Sequence, residues 1–240
     1  MRTFGDKKEF AIALDFYTDC YKDDEYLQEN IEEFFLGAEI YFWVKGKNLF
    51  AFEEGASDHT YGYYNLYALV DFLTDYLVHH ISNDPFPIKT QSTNLVDMLE
   101  ETALVKNDVG DEMKALAEID WACVDMEMMD NRDDWRRYRS FAINDGGTFL
   151  PDLYVRRVKD KIEISWHNRH PHDDGENKFY LLHKKGVEYI DVKLYRDVVV
   201  QFCLAYIEHI EEKEPERANR YRANLQKVID VKLVFLTLVK

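Results

Sequence analysis

Potential metal and proton chemistry is concentrated in one stretch, Trp166-His167-Asn168-Arg169-His170-Pro171-His172-Asp173-Asp174-Gly175. His170, His172 and Asp174 recur at alternate positions. Neutral imidazoles with a carboxylate are the donors that zinc or iron takes, so a turn could bring these three onto one ion. The stretch is also rich in turn-forming residues, lies between two predicted strands, and has Gly175 where a further imidazole would complete a metallohydrolase pattern. A solvated loop is the simpler reading.

A second concentration is basic and aromatic: Arg136, Arg137, Arg139, Arg156, Arg157, Lys159 and Lys161 beside Trp135, Tyr138, Tyr154 and Trp166. Guanidinium groups fork onto phosphates and aromatic faces stack on bases, so such a set could hold a phosphate or a single strand. It could equally neutralise an acidic surface within the same chain, the reading preferred here. Direct nucleic-acid binding is therefore not expected. Arg156, Arg157, Trp166 and Tyr154 are the candidate binding residues. Adjacent residues of a strand point to opposite faces, so only one of Arg156 and Arg157 can join a given site.

Catalytic signatures are missing where sequence would carry them. There is no H-E-x-x-H, so zincin peptidase chemistry is excluded, and no P-loop, nucleophile elbow or Rossmann glycine fingerprint. Carboxylate doublets such as Asp23-Asp24, Glu100-Glu101 and Asp133-Asp134 are expected by chance in so acidic a chain. The sequence points away from an enzyme and names no cofactor.

The elements that must position these residues read as a mixture. Phe10–Tyr17 is apolar and β-prone. Residues 38–52 form two strands about Lys45-Gly46-Lys47-Asn48. Leu66, Leu69, Val70, Leu73, Leu77 and Ile81 predict one amphipathic helix over Asn65–Ile81, stopped by Pro85. Helical pieces follow over 94–129, where Met126, Met128 and Met129 read as packing, and again over Asp133–Asn144, ended by Gly146-Gly147. Residues 150–166 form a hairpin about Lys159-Asp160-Lys161. Phe179–Leu182 and Val187–Asp191 are expected to pair with one another, and two helices close the chain, the second ending in an apolar VKLVFLTLV that buries or pairs with another copy. The expectation is an α+β fold of antiparallel β-hairpins packed with amphipathic helices in two intimately connected halves.

Composition supports a folded core. The 240 residues are 46% hydrophobic and 15% aromatic, with 46 acidic against 30 basic side chains. No segment approaches the roughly 18 uninterrupted apolar residues that cross a bilayer, and the N-terminus has no secretory h-region, so a cytoplasmic protein is expected. Cys20, Cys123 and Cys203 have no paired spacing, and the latter two sit among apolar neighbours as core filler. Charge is uneven: residues 1–134 carry 30 acidic and 10 basic side chains, and residues 135–240 carry 16 and 20. Such asymmetry suits pairing between the halves, or an acidic face that imitates nucleic acid toward a nucleic-acid-binding protein.

Gly146-Gly147-Thr148-Phe149-Leu150-Pro151-Asp152-Leu153-Tyr154-Val155-Arg156-Arg157-Val158, followed by Ile162-Glu163-Ile164-Ser165-Trp166, resembles the non-catalytic N-terminal region of long ImmA/IrrE-type metallopeptidases. There a GG-x-x-x-PD-hydrophobic-RR pattern leads to a terminal SW. Residues 61–80, YGYYNLYALVDFLTDYLVHH, are similar to that region's helix after its first hairpin. The resemblance spans about residues 35–210 and leaves out the peptidase domain. It implies a bacterial accessory module acting in sensing or protein interaction, linked to mobile-element, stress or phage-response loci, with a protein partner and no catalytic residues.

Overall fold

The computed structural model describes residues 1–20, 23, 29, 37–53, 62–63, 66–104, 119–120, 124–141, 151–169, 172–173 and 178–237. Its fold is α+β, built on two antiparallel sheets. The first orders β1 (Arg2–Asp6), β2 (Phe10–Phe16), β3 (Ala38–Val44) and β4 (Lys47–Asn48), with β5 (Gly62–Tyr63) also on β3. Strand β2 is central and buried nearly throughout, which is why FAIALDF is apolar at almost every position rather than alternating. Strand β3 alternates buried and half-buried residues, the pattern of a sheet with one dry face. Between β2 and β3 lies the short helix α1 (Tyr17–Cys20).

Helices α2 (Tyr67–Asp75) and α3 (Leu77–Ile81) replace the single expected helix. The interruption falls at Tyr76. Thr74 directs its hydroxyl back onto the carbonyls of Val70 and Asp71, a competing bond that bends helices. Helix α4 (Leu95–Glu101) opens on Asn94, whose side chain accepts from the Asp97 amide as an N-cap. The expected helix over 133–144 instead runs earlier, as α5 (Met126–Arg137). It is capped by Asp125 and followed at once by β6 (Ser140–Phe141). Of the three methionines only Met129 is buried; Met126 and Met128 are exposed.

The second sheet orders β11 (Lys185–Asp191), β8 (Lys161–His167), β7 (Leu153–Val158) and β6. The β7–β8 hairpin forms as expected, turning through Lys159 at φ 57°. Residues 187–191, however, pair with β8 and not with 179–182. Leu181 makes a lone bridge to Phe52, while β9 (His172–Asp173) and β10 (Lys178–Phe179) pair with each other. On the dry face of β8, Gly186 of β11 stands opposite Trp166 and the buried Ile190 opposite Ile162.

Helix α6 (Val192–Ile210) follows β11 without a loop, and Asp191 caps its first amides. Tyr195, Val198, Val199, Phe202, Tyr206 and Ile210 form its buried stripe, against β1 and β2 on one side and β8 and β11 on the other. Helix α7 (Pro215–Thr237) then packs Ala218, Tyr221, Leu225 and Val228 onto α6, α2 and α3. One hydrophobic core thus draws on both halves of the chain. Cys203 is part of it, and burial pushes its thiol well above the ordinary range. The two charge-imbalanced halves also meet through ion pairs: Arg139 to Asp84, Lys185 to Asp97 and Glu100, Arg169 to Glu100, Lys184 to Glu53 and Arg220 to Asp71. No helix among the described residues is long and apolar enough to cross a membrane.

Candidate functional site

The hairpin β7–β8 has two faces of different character. Leu153, Val155, Ile162, Ile164 and Trp166 enter the core. Tyr154, Arg156, Glu163, Ser165 and His167 take the opposite face, where α4 lies across β7 and β8. Arg156 and Glu163 are cross-strand partners there. The guanidinium meets the carboxylate side-on, Nε at 2.8 Å and Nη2 at 2.7 Å from Oε2, with Arg156 7% and Glu163 0% exposed. The other carboxylate oxygen accepts from the Leu95 amide at 2.5 Å, and Arg156 also donates to the Thr93 carbonyl and to Met98 Sδ. The bonds that this pair makes to Leu95, Thr93 and Met98 seat α4 on the sheet.

Of the four candidate binding residues, Arg156 is therefore a structural fastener. Trp166 is 1% exposed and lies in the core, its indole against Gly186. Arg157 donates to the Ile81 carbonyl at the end of α3 and to the Lys159 carbonyl, binding the hairpin to that helix. The two arginines do point to opposite faces, as their adjacency required. Tyr154 lines a cavity. Of the metal candidates, His170 and Asp174 lie outside the described residues, and His172 is described in its backbone alone.

The cavity, about 280 Å³, opens between α4, α5 and the strands β7 and β8. Val96, Leu99 and Ala103 give it an apolar wall. Arg132 and Arg136, one helical turn apart on α5, face it from above, and Asp152, Tyr154, His167, Arg169 and Glu100 complete the lining. Asn168 fixes the strand ends that carry these groups. Its Oδ1 accepts from the Asp152 amide at 2.9 Å and its Nδ2 donates to the His183 carbonyl at 2.8 Å.

Most of the polar lining is mutually engaged. Arg132 donates to the Thr102 carbonyl and to Asp133, Nη2 lying 2.8 Å from Oδ1. Glu100 accepts from Arg169 Nη2 at 2.7 Å and pairs with Lys185 at 3.2 Å. His167 Nδ1 stands 2.6 Å from Glu100 Oε1 and 2.9 Å from Arg169 Nε. A single ring nitrogen cannot donate to the carboxylate and accept from the guanidinium together, so these two contacts compete. Burial would raise the Glu100 carboxyl, but hydrogen bonds from Lys185, His167 and Arg169 outweigh it and hold the group below its ordinary range. Burial and the Arg169 charge press His167 the other way, favouring neutral imidazole despite Glu100.

Two groups are left over. Arg136 is exposed at the mouth, and Tyr154 is half-buried deeper in. Among the described residues neither side chain makes a hydrogen bond or ion pair. Burial, then the charge of Asp152, raise the Tyr154 phenol, so it stays protonated and able to donate. Arg132, Arg169, His167 and Glu100 escaped the sequence reading as a set. The spacing of Arg132 and Arg136 was the usable signal once α5 is placed over 126–137. No family model matches the chain, and neither does any curated protein or solved structure.

Proposed function

We propose that the chain is a non-enzymatic sensing or protein-interaction module, and that its recognition site is the cavity between α4, α5 and the β7–β8 hairpin. The observation that carries this reading is the division of labour inside the cavity. The groups capable of acid–base work, His167 and Glu100, are tied to Arg169 and Lys185, while two donors, Arg136 and Tyr154, point at the space with bonds to spare. Such a lining suits holding a ligand rather than transforming one. The similarity of residues 146–166 to the accessory region of ImmA/IrrE-type peptidases supports the same reading, and with it a role in the bacterial cytoplasm, in mobile-element, stress or phage-response settings with a protein partner.

The test is to incubate the purified chain with a small-molecule extract of its host, recover it by ultrafiltration and identify retained compounds by mass spectrometry, with Arg136→Gln in parallel. A compound kept by the wild type and lost by the folded variant is the expected result. Equal retention of every compound by the two proteins would remove the cavity from consideration.

A further inference from the structure

We infer that the cavity binds a carboxylate, a single negative charge carried on a small apolar body. This rests on the reading of the cavity as a recognition site and specifies what it recognises. The two uncommitted groups, the Arg136 guanidinium and the Tyr154 hydroxyl, are both donors, so the complementary head is an acceptor without protons of its own. A guanidinium forks onto a carboxylate with two parallel hydrogen bonds, and a phenol supplies a third from the side.

Charge selects between anions. Arg132 is already paired with Asp133, and Glu100 with Arg169 and Lys185, which leaves the single charge of Arg136 without an ion-pair partner among the described residues. A monoanion cancels it. A phosphate monoester, with nearly two charges, would bring the surplus against Glu100 and Asp152 and be repelled. The part of the lining made by Val96, Leu99 and Ala103 has no hydrogen-bonding side chain and receives an alkyl or aryl body. A volume of about 280 Å³ admits a small acid or the last residue of a peptide, and does not admit a nucleotide with its base and sugar enclosed. A free organic acid and a peptide C-terminus present the same head.

The experiment is calorimetric titration of the full chain with 3-phenylpropionate, its amide, phenyl phosphate, and a short peptide ending in phenylalanine as free acid and as amide. An acid should bind at least about tenfold more tightly than its amide, the difference expected for a charged hydrogen-bonded pair. Binding of the small acid identifies a free metabolite as the source, and binding of the peptide acid alone identifies a partner's C-terminus. Arg136→Gln and Tyr154→Phe, checked for unchanged thermal unfolding, should each weaken the acid by about tenfold, and Arg136→Lys should not restore it because an ammonium cannot fork. Equal affinity for acid and amide, tighter binding of phenyl phosphate, or no acid bound at millimolar concentration would overturn the inference. A compound without a carboxylate retained from extract by the wild type and lost by Arg136→Gln would overturn it too, while leaving the recognition site standing. Retention of nothing from extract together with silent titrations would remove both.

Discussion

Nη2 of Arg156 and Oε2 of Glu163 lie 2.7 Å apart on neighbouring strands, in a place where water hardly reaches either side chain. Taking away one partner leaves the other charge stranded. Arg156→Ala should therefore cost about 3–5 kcal/mol of unfolding free energy. The Leu95 amide, which shares Glu163, should lose hydrogen-exchange protection as α4 loosens. Urea denaturation of Arg156→Ala beside the Arg156→Met, Glu163→Leu double variant checks the cause, since removing both charges should recover most of the loss. Equal destabilisation of the two would mean that packing, not the stranded charge, is responsible.

His80 gives the fold an acid-sensitive point. It is wholly buried between Phe72 and Tyr195, with Nδ1 at 2.9 Å from the Tyr195 hydroxyl. Burial first, then the charges of Arg139 and His79, lower its pKa from 6.5 to about 3. The folded state thus keeps the ring neutral while the unfolded chain protonates it. Stability is complete above the unfolded value and drains as pH falls from 6.5 toward 3, by about 1.4 kcal/mol for each pH unit crossed. Denaturation midpoints measured from pH 7.5 downward should fall more steeply for the wild type than for His80→Gln, which cannot titrate. Parallel curves would show that another group governs the acid limb.

At the cavity, Glu100 opposes the burial and the Arg169 and Lys185 charges that keep His167 neutral. Glu100→Gln removes that opposition, so the imidazole should titrate at lower pH than in the wild type. The ring-proton NMR resonances of His167 followed through pH give the answer directly. An upward move would show that the Glu100 contact at 2.6 Å does not hold in solution.

Gly186 faces Trp166 across β11 and β8, and a methyl group at that position would sit 2.3 Å from the indole Cζ2. Alanine there must push the largest side chain of the core out of its place. Gly186→Ala should cost about 1–3 kcal/mol, as overpacking does, with an altered tryptophan emission. Chemical denaturation followed by fluorescence measures both. An unchanged midpoint would show that the indole has room to turn.

Local rules account for what could be read in the chain. The β7–β8 hairpin was legible because Leu153, Val155, Ile162 and Ile164 alternate with polar residues about a tight turn, and α6 because Val198, Phe202 and Tyr206 repeat at helical steps. Strand β1 gave no signal: at the sheet edge RTFGD is mostly exposed and has nothing to alternate. The pairing of β11 was misassigned because its true partner, β8, lies beyond the nearer apolar run at 179–182. The break at Tyr76 follows a Thr74 hydroxyl turned back onto the Val70 carbonyl, a competition that hydrophobic periodicity does not register. The cavity was the least legible feature, since Glu100, Arg132, Tyr154 and Arg169 come from separate elements that only the seating of α4 brings together.

Helix α6 covers a sheet whose first two strands end at Phe16, yet its own residues run from 192 to 210. On the ribosome the order of appearance matters. At 5–20 residues per second, roughly ten to forty seconds separate the emergence of β2 from that of its cover. Throughout that interval Phe10, Ile12 and Leu14 belong to a nascent chain without the helix that later hides them. The docking of α6 onto β1 and β2 is thus a late event in the order in which this polypeptide is made.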